Sequence, residues 1–370
     1  MSKKAFLALL LTAAMLLSGC SLVKIDKNVD NLLTIIDVNG SLVNKEVFNN
    51  TFSYNLYIEQ YYASMLAAFG GDGTVDNNAV LESTIDTIVK SLVTTQKSTE
   101  LGFDQLTEED EALIRANAEA QYAEELESVK SYYFANSELG EEELTAAVLE
   151  YAENAGITVD ALIVNERAAY VANRLRASVT DKVSITSADI QSKLDALIAA
   201  EKETYAASPA VFGSSRNLGQ ETYYTPAGYR TVSVIELKKP TEEGAEDTAK
   251  TEIEALSARV AAGESFDTLS ESVKTYAVCA QSTDVDAAVV EAAMALTAAG
   301  NVSAVVETQT GYALVRFDAE LAEGAVALEQ VADTLYDTVL AEAQDAAYNT
   351  AVESWIAEAD VKIYRENLAF

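Results

Sequence analysis

Two cysteines and no histidine among 370 residues set the chemistry this chain can carry. Without imidazole there is no Ser-His-Asp or Cys-His couple, and both the commonest general base near neutral pH and the commonest zinc ligand are missing. What remains is Cys20, Cys279 and a large excess of carboxylates, 59 Asp and Glu against 25 Lys and Arg, for a formal charge of -34. Asp72 and Asp76 sit in and just after the loop Gly70-Gly-Asp-Gly73, but the twelve-residue ligand pattern of a calcium site is absent. No metal and no cofactor is expected. So acidic a surface repels phosphate backbones, which sets nucleic acid aside as a partner. Aromatic side chains are the other resource, dense at Phe48, Phe52, Tyr54, Tyr57, Tyr61 and Tyr62 and again at Tyr132, Tyr133 and Phe134.

Cys20 has a distinctive setting. Ser2-Lys3-Lys4 supplies a basic start, and Ala5 to Leu17 is an apolar run too short to span a bilayer. It ends in Leu17-Ser-Gly-Cys20, which resembles the bacterial lipobox, where the cysteine sulfur is acylated and the chain is cut just before it. The resemblance implies a lipoprotein signal peptide at 1–19, lipid attachment at Cys20 and a polar tether at 20–31. It also implies a place on the extracytoplasmic face of a bacterial membrane, held by lipid. With Cys20 acylated, Cys279 is the one thiol left and no internal disulfide forms.

The elements that must position these groups follow from periodicity and punctuation. A hydrophobic content of 49% over 370 residues supports sizeable cores in two or three domains. Leu32 to Val38, the turn signal Asn39-Gly40 and Ser41 to Val43 read as a small hairpin. Asn44 caps a helix bearing Phe48, Phe52, Leu56 and Tyr57, and helix follows helix to about Tyr205. Thr107-Glu-Glu-Asp110 and Thr186-Ser-Ala-Asp189 form N-terminal caps along the way. All three prolines, Pro209, Pro226 and Pro240, cluster after this region, and 208–228 reads as a linker. The alternating strand Arg230 to Leu237, two helical runs and the strand Gly311 to Phe317 then form a unit over 229–318. A long one-sided apolar helix, Leu328 to Ala359, and a strand-like Val361 to Tyr364 follow.

This order of pieces resembles the extracytoplasmic foldases called PrsA and SurA. The sharpest likeness is Ala292 to Ser303 followed by Val306 to Tyr312, similar to the parvulin signature of a helix ending in Ala-x-x-x-Leu, a Gly-x-x-Ser turn and a Gly-aromatic pair entering the last strand. Gly263-Glu-Ser-Phe266 with Leu269 is similar to the family's Gly-x-x-Phe-x-x-Leu. The resemblance implies an α+β chain: a mainly helical SurA-N-like chaperone domain over 32–207, and a small parvulin-like α/β domain over 229–318. That domain is inserted before a returning C-terminal helix and strand, 319–370, that packs back on the chaperone domain.

Parvulins rotate a peptidyl-prolyl bond between two facing histidines, an Asp or Cys and an apolar pocket. Carried over by position, the histidines fall on Val234 and Ala313, and the pocket phenylalanine falls near Val289. Cys279 lies about three residues late for the Asp or Cys, and the Gly-Gly-Asp-Leu-Gly motif has no counterpart between Tyr276 and Val289. No catalytic residue is therefore assigned, and Val234, Cys279, Val289 and Ala313 mark a degenerate site. The function implied is a lipid-anchored foldase or chaperone whose partners are unfolded or nascent secreted polypeptides. Two alternatives stay open: a prolyl isomerase with a rearranged site, and a non-catalytic envelope adaptor.

Overall fold

The computed structural model describes residues 27–240 and 248–368. Cys20, the leader and the start of the tether lie outside the described residues. In chain order the elements are β1 (Thr34–Val38), β2 (Ser41–Asn44), α1 (Lys45–Ala68), α2 (Asn77–Glu100), α3 (Glu108–Tyr133), α4 (Glu141–Asn154), α5 (Val159–Thr180), α6 (Ser187–Ala207) and α7 (Ala210–Asn217). There follow β3 (Tyr224–Thr225), β4 (Arg230–Lys238), α8 (Ala249–Ala261), β5 (Lys274–Val278), α9 (Ala287–Ala295), β6 (Val306–Glu307), β7 (Gly311–Glu320), β8 (Gly324–Ala325), α10 (Leu328–Glu358) and β9 (Val361–Ile363). The chain is α+β and mainly helical.

Capping chemistry starts the long helices where the sequence places them. The Asn44 side chain accepts the Val47 N–H at 3.0 Å, and Thr158 accepts that of Ala161 at 3.2 Å. Thr107 and Asp110 exchange bonds of 2.9 and 3.2 Å in a reciprocal box, repeated by Thr186 and Asp189. Each such box satisfies two orphaned amides at a helix N-terminus.

The chain divides into two units, the first holding residues up to Val183 together with Gln344 onward, the second Ser184–Ala343. In the first unit β1 is the central strand of a three-stranded antiparallel sheet, order β2-β1-β9. The hairpin turns at Asn39 and Gly40, where the Asp37 carboxylate accepts the Gly40 N–H at 2.8 Å. Ile35, Ile36 and Val38 are fully buried against Phe48, Ile85, Val89 and Val93, with Trp355 and Ile356 of α10 completing the core. Burial of this many aliphatic side chains, each contributing about 1.5–3 kcal/mol, holds the sheet to α1, α2 and α10.

In the second unit β4 and β7 pair over their length at the centre of an antiparallel sheet of order β5-β4-β7-β6. The helix α9 covers one face through Val289, Val290 and Ala293. The other face is covered by α8 through Ala249 and Ile253, joined by Phe266 and Leu269. Gly311 is forced by β-sheet contact: a Cβ there would lie 2.0 Å from the Leu237 carbonyl oxygen. Only glycine fits, which gives the Gly-aromatic pair its physical reason.

Three boundaries differ from those expected of the sequence. The strand β5 stands where helix was expected, because Thr275 and Ala277 pair with Ser233 and Thr231 of a strand some forty positions away. Residues 208–228 are no plain linker: they hold α7, whose Phe212 is fully buried against Tyr205 and Tyr229. Gly213 lets α7 approach β5, since a Cβ there would meet the Ala277 carbonyl oxygen at 2.8 Å. Finally, α6 groups with the sheet unit. Its Ile190 and Leu194 pack on Leu335 in the first half of α10, so only the second half of that helix returns to the first unit.

Candidate functional site

Two regions answer to the function the sequence points to, and they are built differently. The first is the sheet position of the parvulin chemistry. Val234 lies mid-strand in β4, in register with Val315 of β7 and Lys274 of β5. Ala313 lies in β7 opposite Glu236 and Val306. Strand alternation puts Val232, Val234, Ala313 and Val315 on one face, and α9 lays Val289 over them.

Val234, Val289 and Ala313 are each fully buried in one apolar cluster, with no side-chain donor or acceptor among its buried members. The signature helix is fixed by a single cation: Arg230 donates from one guanidinium nitrogen to the Ala293 and Leu296 carbonyls, both at 2.9 Å, and so caps α9.

Cys279 is not part of that cluster. It is buried just beyond β5 among Tyr205, Phe212, Tyr229 and Ala277. Its N–H donates to the Ser282 hydroxyl at 2.9 Å, and the Ser282 N–H returns to the Cys279 carbonyl. The Tyr229 hydroxyl beside it donates to the Pro209 carbonyl and accepts the Gly213 N–H at 3.2 Å. Burial, more than the nearby thiol, pushes the Tyr229 phenol well above its usual range. This is a packed corner that anchors α7. A thiolate nucleophile needs an exposed, electropositive setting, and Cys279 has neither.

The second region is a face of α1. The helix starts in the core, with Phe48 stacked on Phe52 at 6.4 Å, and Asn55 donates to the buried Thr84 hydroxyl at 3.0 Å. Beside and beyond that point runs an apolar stripe at helical spacing, in which Tyr54, Tyr61, Tyr62, Leu66 and Phe69 are exposed and Ile58 is half-buried. Tyr54 is 65% exposed and Phe69 88%. A helix stripe of this kind is ordinarily buried, and a contiguous exposed one marks a binding surface.

Tyr54, Ile58, Tyr62 and Leu66 line an open cavity of about 730 Å³ between α1, the 72–76 loop and the start of α2, with Glu59 and Asp72 on its wall. Asp72 accepts the Thr74 N–H at 2.9 Å, and Asp76 accepts those of Asn78 and Ala79. Both carboxylates therefore shape the loop and the cap of α2. Among the described residues no group of three His, Cys, Asp or Glu is placed to hold a metal ion.

A smaller aromatic site of about 460 Å³ lies where α3 meets α4, lined by Val129, Tyr132, Tyr133, Tyr151 and Ile157. Tyr132 meets Tyr133 edge-on at 4.9 Å and Tyr133 meets Tyr151 at a tilt at 4.5 Å, and the hydrogen bond with Tyr133 pushes the Tyr151 hydroxyl up.

The sequence marks Tyr54, Tyr57, Tyr61, Tyr62, Tyr132 and Tyr133 as aromatic supply, and these are the exposed ones. Phe48 belongs to the core and Phe134 is half-buried. Met65, Leu66 and Phe69 complete the stripe without having been singled out, although their spacing of three, four and seven from Tyr62 carries the signal.

Residues 218–333 match the family model of the PPIC-type PPIASE domain, a stretch that contains Val234, Cys279, Val289 and Ala313. That stretch is thus similar to a PPIC-type PPIase domain. Among solved structures it is similar to one reported for PEB4 and Cj1289, two structurally related SurA-like chaperones of Campylobacter jejuni, at 10% identity over 90% of this chain and 99% of that one, with a TM-score of 0.31. It is also similar to PrsA of Bacillus subtilis, at 16% identity over 89% and 91% of the two chains, TM-score 0.21. Foldase protein PrsA of Lactococcus lactis stands at 16% over 91% and 96%, TM-score 0.23. No curated protein matches the chain.

Proposed function

We propose that this chain is an extracytoplasmic foldase chaperone, anchored by lipid at Cys20, that holds unfolded or nascent secreted polypeptides on its helical unit. In this reading the parvulin-type domain keeps its fold and has lost its isomerase site. The observation that carries the proposal is the uncovered stripe of α1, where aromatic and aliphatic side chains stand in water beside a cavity of about 730 Å³. Apolar surface held open on a stable helix gives an unfolded chain somewhere to bury its own apolar residues, at about 25 cal/mol per Å² removed from water.

Aggregation of a denatured client tests the reading. The purified chain at stoichiometric amount delays light scattering, and Tyr54→Ala with Tyr62→Ala removes the delay. An unchanged scattering curve with the unaltered chain leaves an adaptor role in its place. The anchor has its own test, incorporation of labelled fatty acid on expression in a bacterium, which Cys20→Ala abolishes.

A second reading, an isomerase working through a rearranged site, draws on the family match over 218–333. Rotation about the prolyl bond faces a barrier of about 18–20 kcal/mol, and lowering it requires a cleft that takes the ring. The closed cluster around Val234 and Ala313 speaks for the first reading. A protease-coupled prolyl peptide assay separates the two, the expected rate being that of the uncatalysed reaction.

A further inference from the structure

The α1 surface has a sign as well as an apolar character. From Glu46 to Val89 the sequence contains no Lys or Arg, while Glu59 and Asp72 stand on the cavity wall among Tyr54, Ile58, Tyr62 and Leu66. Lys45, at the N-terminal end of α1, is already engaged with Asp30 at 3.0 Å. Rings with exposed faces and carboxylates within one cavity are the two partners a cation prefers, the first through the ring quadrupole and the second through charge. Elsewhere in the same unit the chain pairs cations with rings in this way: Arg176 lies 5.2 Å from the centre of the Tyr348 ring and Arg174 5.6 Å from that of Phe103. Among the described residues that line the α1 cavity there is no Lys or Arg.

We infer that the α1 cavity selects client segments in which Lys or Arg is flanked by aromatic or aliphatic residues, and turns away segments whose charges are acidic. The inference rests on the chaperone reading and narrows it to a substrate class. Apolar flanks fill the stripe of Tyr54, Ile58, Tyr62 and Leu66, while the cation sits between a tyrosine face and the carboxylates of Glu59 and Asp72. A cation at such a partly exposed site gains enough to favour it about tenfold over a neutral side chain, and the gain falls as salt screens the carboxylates.

The test uses the whole chain and three fluorescent peptides of one apolar sequence, carrying Arg, Gln or Glu at the same positions. Anisotropy is expected to give the Arg peptide about tenfold tighter binding than the Gln peptide and still weaker binding of the Glu peptide, with the preference shrinking between about 50 mM and about 500 mM salt. Glu59→Gln with Asp72→Asn is expected to bring the Arg peptide close to the Gln peptide, and Tyr62→Ala to weaken both.

Equal binding of all three peptides overturns the charge preference and leaves the chaperone reading in place. Failure of every peptide to bind, together with an unaltered client scattering curve, removes both. An Arg preference that survives the substitutions puts the site elsewhere and overturns the inference. So does concentration-dependent self-association that Tyr62→Ala dissolves, because the occupant is then a second copy of the chain.

Discussion

The β4–β7 centre and the outer stripe of α1 are made of much the same material, aliphatic and aromatic side chains at regular spacing, and they use it in opposite ways. In the sheet, Val234, Val289 and Ala313 meet each other and exclude water completely. On α1, Tyr54, Tyr62 and Leu66 stay largely in water. One arrangement buries its apolar surface within its own fold, and the other leaves it exposed. The contrast teaches that two properties are separable: strand register fixes where the family's active-site positions lie, whereas the exposure of a stripe depends on which one is left without a neighbour.

Placing a charge in the closed centre should have the largest effect. Val234→Asp puts a carboxylate where no partner exists, and is expected to cost above about 4 kcal/mol in urea unfolding of the purified chain. Tolerance of this substitution breaks the comparison, since it means that the centre is open to water. Next in size is Phe212→Ala, which hollows out the corner of Tyr205, Tyr229 and Cys279. A loss of about 3–4 kcal/mol is expected, read as a lower urea midpoint together with easier proteolysis near α7.

A smaller effect concerns acid. The Tyr170 hydroxyl, 2.5 Å from Asp110, and the Thr107 N–H hold the Asp110 carboxyl down at about 2, below its ordinary 3.8. A carboxyl depressed in the folded state stabilises above its unfolded value, and that contribution disappears as pH falls from about 4 through about 2. The urea midpoint of the chain should therefore drop over that window, and Asp110→Asn should flatten the drop. A residual slope remains from Glu82, which the Arg365 guanidinium holds below its usual range. The smallest change in stability is expected on the stripe itself: Tyr62→Ala with Leu66→Ala changes the unfolding free energy from urea titration by less than about 0.5 kcal/mol, yet is expected to remove protection of a client. A large loss of stability there sharpens the comparison against us, by showing that the stripe supports the fold.

Much of the fold is legible because it is written in local chemistry. Asn44, Thr107, Thr158 and Thr186 announce their helices through bonds to residues three positions on, and Asn39-Gly40 announces its hairpin. The strand β5 is not legible, since Lys274-Thr-Tyr-Ala-Val278 has no clean alternation and takes its state from β4. Gly213, Ser214 and Ser215 make α7 look like a tether, and what orders it is the seating of Phe212 and the Asn217 side chain, which holds the Ala277 N–H at 2.7 Å. The absence of histidine from the chain, and so from the two strand positions, can be read from the sequence. Their closure under α9 is a matter of packing in space, as is the exposure of Tyr54 and Leu66.

The pairing of β1 with β9 has one more consequence, in time. Val38 and Val361 are opposed across almost the whole length of the chain, and the Asp360 N–H reaches back to the Asn39 side chain at 2.8 Å. During vectorial emergence from a ribosome or an export channel, α1 and its stripe appear long before the strand that seals their own sheet. The inserted unit between them has all its partners in hand first. Closing so long a loop is slow compared with local helix formation. The helical unit therefore passes through an interval in which its own sheet is unfinished and its core strands are open, and β9, arriving after them, closes it.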